Sequence, residues 1–489
     1  MNRPFYYDLF YYVLFQGIPI LTGLFILPLY SSRLSTEEYG QYSIIMATIN
    51  VLAILSINWI NVSTIRFYSE FETEEEKGQL MTIASLTLTV TTILGGIVLW
   101  IMGQLQLIVL DPLGLVIFMF FIMNIEHLIT AYLKASRQVK LNTAIRTFYT
   151  ILRFIVLATL LLAFEFGKEA IFYGNIAAAG ATIILGGYWG GVKQRRIGRE
   201  DLAKIKEYLG YGIPFIWILG VHWILTISDR YMLEFMKGSS EVGIYSLNYS
   251  LVQKIIMPII TIFMSTAAPI IFQLNKESNP VEAQKMLDRI FKYFLLLTVP
   301  SVIGLSLVSN EIGAVFIKNE FQEGFVIIPI IAVALFFLGV RQYTNIALEV
   351  EKKSTEIARV ALIAGVTNVL FNLLLIRRWS YVGASYATLI SYFVYFLLSY
   401  WKTKDLSSIR ITVKKEFILI LVSAGMMIPV LVSLTRFFDY PNEIMLVIKL
   451  VAGIALYGGL LFAFRLISIK ELKDFLKKRK KGKNNEQRK

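Results

Sequence analysis

Gly17-Ile18-Pro19 and, further on, Glu38-Tyr39-Gly40-Gln41-Tyr42-Ser43 return later in the chain as Gly212-Ile213-Pro214 and Glu241-Val242-Gly243-Ile244-Tyr245-Ser246. The offset is 195 residues for the first element and 203 for the second. A three-residue match would be chance. Two elements in the same order, flanking the same apolar stretch in each copy, read as an internal duplication.

That apolar stretch is one of fourteen long enough to cross a bilayer, which takes about 20 mostly apolar residues. They run over 8–30, 41–61, 80–102, 112–133, 144–164, 170–190, 209–232, 243–272, 292–310, 325–349, 355–376, 381–401, 416–436 and 443–464. Composition agrees. The 489 residues are 56% hydrophobic and 17% charged, with a mean hydropathy of +0.63, whereas soluble domains carry about 25% charged residues. No segment between spans exceeds about 20 residues, well short of an independent domain. The fold class expected is therefore all-α: a polytopic membrane protein of about 14 transmembrane helices, in two six-helix lobes plus two extra C-terminal helices. The first span, opening at Asp8 after Arg3 with no A-x-A cleavage site behind it, reads as a retained anchor.

The duplication sets the organisation. Residues 1–192 form an N-terminal lobe, 193–207 a basic linker, 208–401 a C-terminal lobe, 402–469 helices 13 and 14, and 470–489 a basic tail. Six spans is an even number, so both copies insert the same way round, as in transporters whose substrate lies between two lobes. Of the 48 Lys and Arg, 37 fall on segments that share a side with the N-terminus and 9 on the other side. By the positive-inside rule both termini are cytoplasmic. The net charge of +14 is thus mostly an orientation signal, with no nucleic-acid partner implied. The run Lys477, Lys478, Arg479, Lys480 and Lys481 reads as a solvated arm near anionic lipid head groups, and Glu74–Glu76 as a solvated loop.

Several chemistries are excluded. There is no cysteine, hence no disulfide framework or thiolate metal site. His127 and His222 are the two histidines, and neither has the spacing of a zinc hydrolase. No Gly-x-x-x-x-Gly-Lys phosphate loop occurs. No catalytic constellation, metal site or cofactor motif is found, and the chain is not read as an enzyme.

The chain resembles the Wzx-type polysaccharide transporters of the multidrug/oligosaccharidyl-lipid/polysaccharide exporter superfamily. The resemblance is carried by Arg33-Leu34-Ser35 before Glu38-Tyr39-Gly40, and by Tyr208-Leu209-Gly210-Tyr211-Gly212-Ile213-Pro214. Further on it is carried by Asp229-Arg230-Tyr231 before Glu241-Val242-Gly243-Ile244-Tyr245, and by Asn368, Asn372 and Gly383-Ala384 leading into Ala387-Thr388. It implies a flippase in the bacterial cytoplasmic membrane. The cargo would be an undecaprenyl-diphosphate-linked oligosaccharide repeat unit for surface polysaccharide, moved by alternating access between lobes. The implied partners are that anionic lipid-linked oligosaccharide, membrane lipids and other polysaccharide assembly proteins. Fourteen spans also resemble the lipid II flippases of the superfamily, whose two extra helices help form a groove for the lipid tail.

A diphosphate-sugar head needs a polar, cationic path, and Arg suits phosphate because its guanidinium forms two parallel hydrogen bonds. A charge inside a span costs roughly 2.5–3.5 kcal/mol and defaults to a functional candidate. The cavity candidates are Arg153, Lys254, Arg146, Arg341 and Arg66. Arg146 and Arg153 are seven residues apart and share a helix face. Arg66, Arg146 and Arg359, near the cytoplasmic end, are equally served by snorkelling to head groups. Candidates for a gate or for ion coupling are Asp229 and Arg230, which also suit a structural ion pair, and Glu126 and His127, which also suit a hydrogen-bonded packing pair. His222 reads as structural. Coupling to protons or sodium is left open. Most aromatics fit interfacial belts, and the duplicated Pro19 and Pro214 suit hinges. The alternative readings are a drug or cation antiporter of the same superfamily, against which the basic deep charges speak, and a membrane polysaccharide polymerase, which would need a large outer loop.

Overall fold

The computed structural model describes residues 3–195, 202–277, 279–406 and 414–466, with side chains from residue 17 onward apart from positions 202, 203, 204, 218, 266, 267, 405 and 406. The basic tail 470–489, part of the linker and the Asp8 side chain lie outside the described residues.

The described chain is helical throughout. In order, α1 is Arg3–Arg33 and α2 Thr36–Ala53, which runs through a π turn (Ile54–Asn58) into α3, Trp59–Tyr68. Then come α4 (Glu74–Gln104), α5 (Leu113–Ala135), α6 (Val139–Ala163), α7 (Glu169–Gly190), α8 (Leu202–Gly212), α9 (Phe215–Lys237) and α10 (Ser239–Lys276). The rest are α11 (Pro280–Leu307), α12 (Ser309–Phe316), a 3-10 segment (Asn319–Val326), α13 (Ile327–Val350), α14 (Ser354–Leu406), α15 (Lys415–Gly425), α16 (Met427–Phe437) and α17 (Asn442–Ala463).

Twelve stretches of the described residues are long and apolar enough to cross a membrane. One of them, 354–404, holds two of the expected spans. Its helix breaks at Ser380, with φ 48 and ψ −130. In a continuous helix Leu375 and Gly383 would stand about 12 Å apart. Instead the Gly383 backbone presses on the Leu375 carbonyl, where a Cβ would have no room. The chain therefore reverses there, and Gly383 permits the close approach. With its two arms counted separately and α1 added, fourteen membrane-length helices result. The outward face of α4 carries Leu86, Val90, Leu94, Ile97 and Trp100, each about half exposed, an apolar surface that water would not tolerate but lipid solvates. This is a multi-pass membrane protein.

Local chemistry explains the helix starts. Ser35 and Glu38 form a capping box at α2, with the Ser35 amide donating to Glu38 Oε2 at 2.9 Å and the Glu38 amide to Ser35 Oγ at 3.1 Å. Thr73 and Glu76 do the same at α4. Glu74–Glu76, expected in a solvated loop, are instead the first turn of α4, where carboxylates stabilise the exposed amides and the helix dipole. The duplicated prolines also diverge: Pro19 lies within the unbroken α1, whereas Pro214 precedes α9 after a break from α8. Gly212 packs onto Trp59 and Ser63 of α3, so the chain enters α9 against a neighbour that Gly17 lacks.

Two compact units form. The first comprises residues 21–247 and 368–384, the second 1–20, 248–367 and 385–489. In the first, Trp59, Ile60, Met81, Ala84, Leu133 and Tyr208 build one buried cluster. Several of its buried polar groups pair internally, as a membrane interior favours. Ser56 donates to Leu52 O at 2.8 Å, and Asn124 Nδ2 to both Ser56 Oγ and Thr92 Oγ1 at 3.2 Å. In the second, Phe291, Phe294, Tyr343 and Phe417 pack edge to face and stacked.

Candidate functional site

Arg153 sits on α6 fourteen residues past its start, about 21 Å along the helix axis. Its guanidinium lies within electrostatic range of the phenols of Tyr30 from α1, Tyr42 from α2 and Tyr149 from its own helix. Tyr30 and Tyr39 are buried; their ring centroids are 5.3 Å apart, and Tyr42 lies 6.1 and 5.5 Å from them. Tyr149 donates to Asn175 Oδ1 of α7 at 3.5 Å. The Arg153 Nε is shut from solvent and has no hydrogen-bond partner among the described residues. No carboxylate pairs with Arg153 among the described residues.

The electrostatic meaning is direct. A cation inside a span is costly, and phenols offer dipoles and ring faces but no countercharge. The cluster is thus a cation set among neutral phenols, with hydrogen-bonding capacity left over on Nε. It suits a guest that brings negative charge and hydroxyl-rich, ring-shaped surface.

The other expected residues fall in distinct places. Arg146 is exposed on the same α6 face. On α5, Thr130 donates to Glu126 Oε1 at 2.8 Å, and His127 Nε2 stands 3.8 Å from Glu126 Oε2. Arg66, in the last turn of α3, pairs with Glu70 at 2.8 Å with both side chains about half exposed, so it is spent on its neighbour and lies outside the Arg153 cluster. Arg359 pairs in the same way with Glu356, at 2.7 Å. His222 is exposed on α9. In the second unit, Lys254 is half-buried on α10. Arg341 Nη1 donates to Tyr395 OH at 2.7 Å, with the guanidinium 4.3 Å from that ring's centroid.

Within the first unit Asp229 is buried and Arg230 half-buried. The Asp229 carboxylate accepts from Tyr245 OH at 2.5 Å and from the Arg230 amide at 2.8 Å, and Arg230 Nη1 lies 3.3 Å from it. Next to them Ser228 Oγ donates to Asn368 Oδ1 at 3.2 Å, as does Asn372 Nδ2 at 2.9 Å. Asn372 Oδ1 is buried without a hydrogen-bond partner among the described residues. No group of three His, Cys, Asp or Glu suited to a metal occurs among the described residues. The oxygens of Asp229, Ser228, Asn368 and Asn372 form the set with the chemistry for a small hard cation.

Two features escape the sequence reading. Lys449, inside the expected span 443–464 but not singled out there, lies within α17, where it forms a buried ion pair with Glu311 and donates to Leu307 O at 3.1 Å. A lone Lys inside an apolar run was the available signal. The tyrosine cluster read as part of an interfacial belt, and only the packing of α1, α2 and α6 gathers it.

A family model described as "Polysaccharide biosynthesis protein" matches residues 6–275, and one described as "Lipid II flippase MurJ" matches residues 239–449. "Probable flippase AglR" of Haloferax volcanii is 23% identical over 352 residues, 70% of this chain and 71% of that protein. A "probable low-salt glycan biosynthesis flippase" of the same organism is 22% identical over 235 residues, 48% of this chain and 49% of that protein. Among solved structures, the inward closed conformation of lipid II flippase MurJ is similar with a TM-score of 0.76 at 16% identity, covering 94% of this chain and 100% of that one. An inward-facing multidrug resistance MATE family transporter gives a TM-score of 0.63 at 13% identity, over 81% and 94%. At these identities the two structures establish the fold.

Proposed function

Because this chain belongs to the polysaccharide biosynthesis protein family, whose model spans more than half of it, we propose that it is a flippase for lipid-linked oligosaccharide. It is a transporter rather than an enzyme. The observation that carries the reading is Arg153, a membrane-depth cation with no carboxylate partner among the described residues, ringed by tyrosine phenols. The cargo class is a sugar chain on a polyprenyl diphosphate. We take it to be an undecaprenyl-diphosphate-linked repeat unit in a bacterial cytoplasmic membrane, with both termini cytoplasmic. The diphosphate satisfies the guanidinium, and the sugar rings stack on the phenols.

The two sequence repeats are the lobes that alternate access, and other polysaccharide assembly proteins receive the flipped unit. Energy enters as a proton or sodium gradient, for which Asp229, Ser228, Asn368 and Asn372 are the residues to hold the ion. The antiporter reading shares the fold, so the fold does not separate the two. The sign of charge does, because the Arg153 cation would repel a cationic drug.

The test is a clean deletion of the gene, followed by assays of surface polysaccharide and of the lipid-linked intermediate in each leaflet. Loss of polymer with repeat units trapped on the cytoplasmic side is the expected result. Unchanged polymer and intermediates, with altered sensitivity to cationic drugs, would overturn it in favour of the antiporter.

A further inference from the structure

Pro300 stands inside α11, yet the helix runs without a break from Pro280 to Leu307. A proline inside a helix has no N–H, so the carbonyl four residues earlier loses its helical donor. Within a bilayer no water replaces that bond. Here the carbonyl is that of Leu296, and it accepts from the hydroxyl of Tyr457 on α17 at 3.0 Å. Both residues are buried. The next carbonyl, Leu297 O, accepts in an exposed bond from Ser301 Oγ of the same helix at 2.6 Å. The weakened turn is thus mended locally on its open side and by another helix on its buried side.

α17 does the same at the end of α11. Leu307 is the last residue of that helix, where carbonyls have no donor within the helix. Lys449 Nζ donates to it at 3.1 Å while forming its buried ion pair with Glu311. Lys449 precedes Tyr457 by about two turns and Leu307 follows Leu296 by about three, so α17 runs antiparallel to α11 with donors and acceptors in matching order. The other end of α11 is held as well. Lys414, the cap of α15, pairs with Asp288 at 2.6 Å. Lys292 lies 3.7 Å from Glu416 of α15, and the Phe291 and Phe417 rings are 5.2 Å apart. α11 is therefore fastened on both sides of Pro300 and at the proline itself, by helices that lie outside the sequence repeat.

We propose that Tyr457 is a positioning residue that keeps α11 rigid: its hydroxyl stands in for the N–H that Pro300 lacks, and α15–α17 splint the helix. Without the splint a proline is a place where a helix kinks. Lobes that rock against each other as rigid bodies need helices that do not flex within the lobe. The purpose of the splint rests on the alternating-access reading; its chemistry is independent of the cargo. Lys449 and Tyr457 divide the work. A buried ion pair is far costlier to break than a neutral hydrogen bond, so Lys449 anchors the end of α11 while Tyr457 stiffens its weak turn.

The experiment is a double-variant cycle on the full-length protein, read by amide hydrogen exchange over residues 297–307 in nanodiscs and by polysaccharide export in cells. Tyr457→Phe keeps the ring and removes the hydroxyl. Exchange in this stretch is expected to rise about ten-fold, the effect of one lost hydrogen bond, and export to fall. Pro300→Ala supplies an N–H for Leu296 O, so it is expected to leave both readouts unchanged. The combination Tyr457→Phe/Pro300→Ala is then expected to return both to the parent level. Unchanged exchange in Tyr457→Phe overturns the proposal. So does a double variant as impaired as Tyr457→Phe alone, since the hydroxyl then serves something other than the carbonyl that Pro300 exposes. Full export in Tyr457→Phe ends the positioning role, and loss of export in Pro300→Ala would show that α11 has to bend. The exchange cycle needs no cargo, so it decides the splint even if a deletion strain keeps its polymer and the flippase reading falls.

Discussion

Gly40 and Gly243 are the same position in the two copies of the duplicated motif, and they meet. A Cβ on Gly40 would run into the Ser239 carbonyl, and one on Gly243 into the Thr36 carbonyl, with the amide of each glycine next in line for the other. Ser239 is the duplicate of Thr36 by the same 203-residue offset. The contact is therefore reciprocal, α2 against the first turn of α10, and a Thr36–Ser240 hydroxyl bond of 2.7 Å lies beside it. Only residues without a side chain allow two helix backbones this close.

Gly40→Ala and Gly243→Ala should each destabilise the protein by about 1–3 kcal/mol, the range for overpacking a tight contact. Thermal unfolding in detergent checks this, and melting points unchanged in both would mean that the helices separate freely. Because the chain has no cysteine, the pair Thr36→Cys/Ser240→Cys gives a clean crosslink. Under alternating access, oxidation should stop transport and reduction restore it. Full activity of the crosslinked protein would make this seam a fixed joint.

Lys449 and Glu311 are both about 95% buried, and they fasten α17 to α12. Lys449→Met leaves a buried carboxylate alone, which costs about 3–5 kcal/mol. Adding Glu311→Gln should recover most of that loss, since the stranded charge is then gone. A double variant as unstable as the single one would show that the methionine itself is the fault.

Arg153→Ala should lower export about ten- to hundred-fold with protein abundance unchanged, the size expected for losing a charged hydrogen bond of about 1.5–3 kcal/mol. Arg153→Lys should recover part of this at most, because an ammonium keeps the charge but loses the planar donor pair. Surface polysaccharide normalised to membrane-embedded protein is the readout, and normal export in Arg153→Ala would remove the residue from the site.

Asp229→Asn should free transport from its ion gradient, whereas Tyr245→Phe, which removes the phenol donating to Asp229, should keep the dependence. Flipping into proteoliposomes with and without a sodium or pH gradient separates them. An Asp229→Asn protein that still follows the gradient would shift the coupling elsewhere.

Much of the fold was legible because a bilayer restricts the choices. Spans must be long, apolar and helical, so fourteen of them stand out even where Pro258 and Pro300 interrupt the pattern. The site was legible in part. Arg153 announces itself as a charge in an apolar run, and so would Lys449. What each charge faces was not legible: Lys449 finds Glu311 138 positions away, Arg153 lies near phenols from three helices, and Arg66 finds Glu70 one turn away. Glu74–Glu76 misled because a helix start and a polar loop share the same composition.

The amino-acid sequence by itself determined that this is an all-helical membrane protein carrying a repeated motif. Hydrophobic length and repetition are properties of the chain, and they survive any packing. The tertiary structure alone decided which cations are balanced and which are left without a countercharge. That depends on Coulomb energy, which varies with distance and burial, and both are set by which helices pack together, not by where residues stand along the chain.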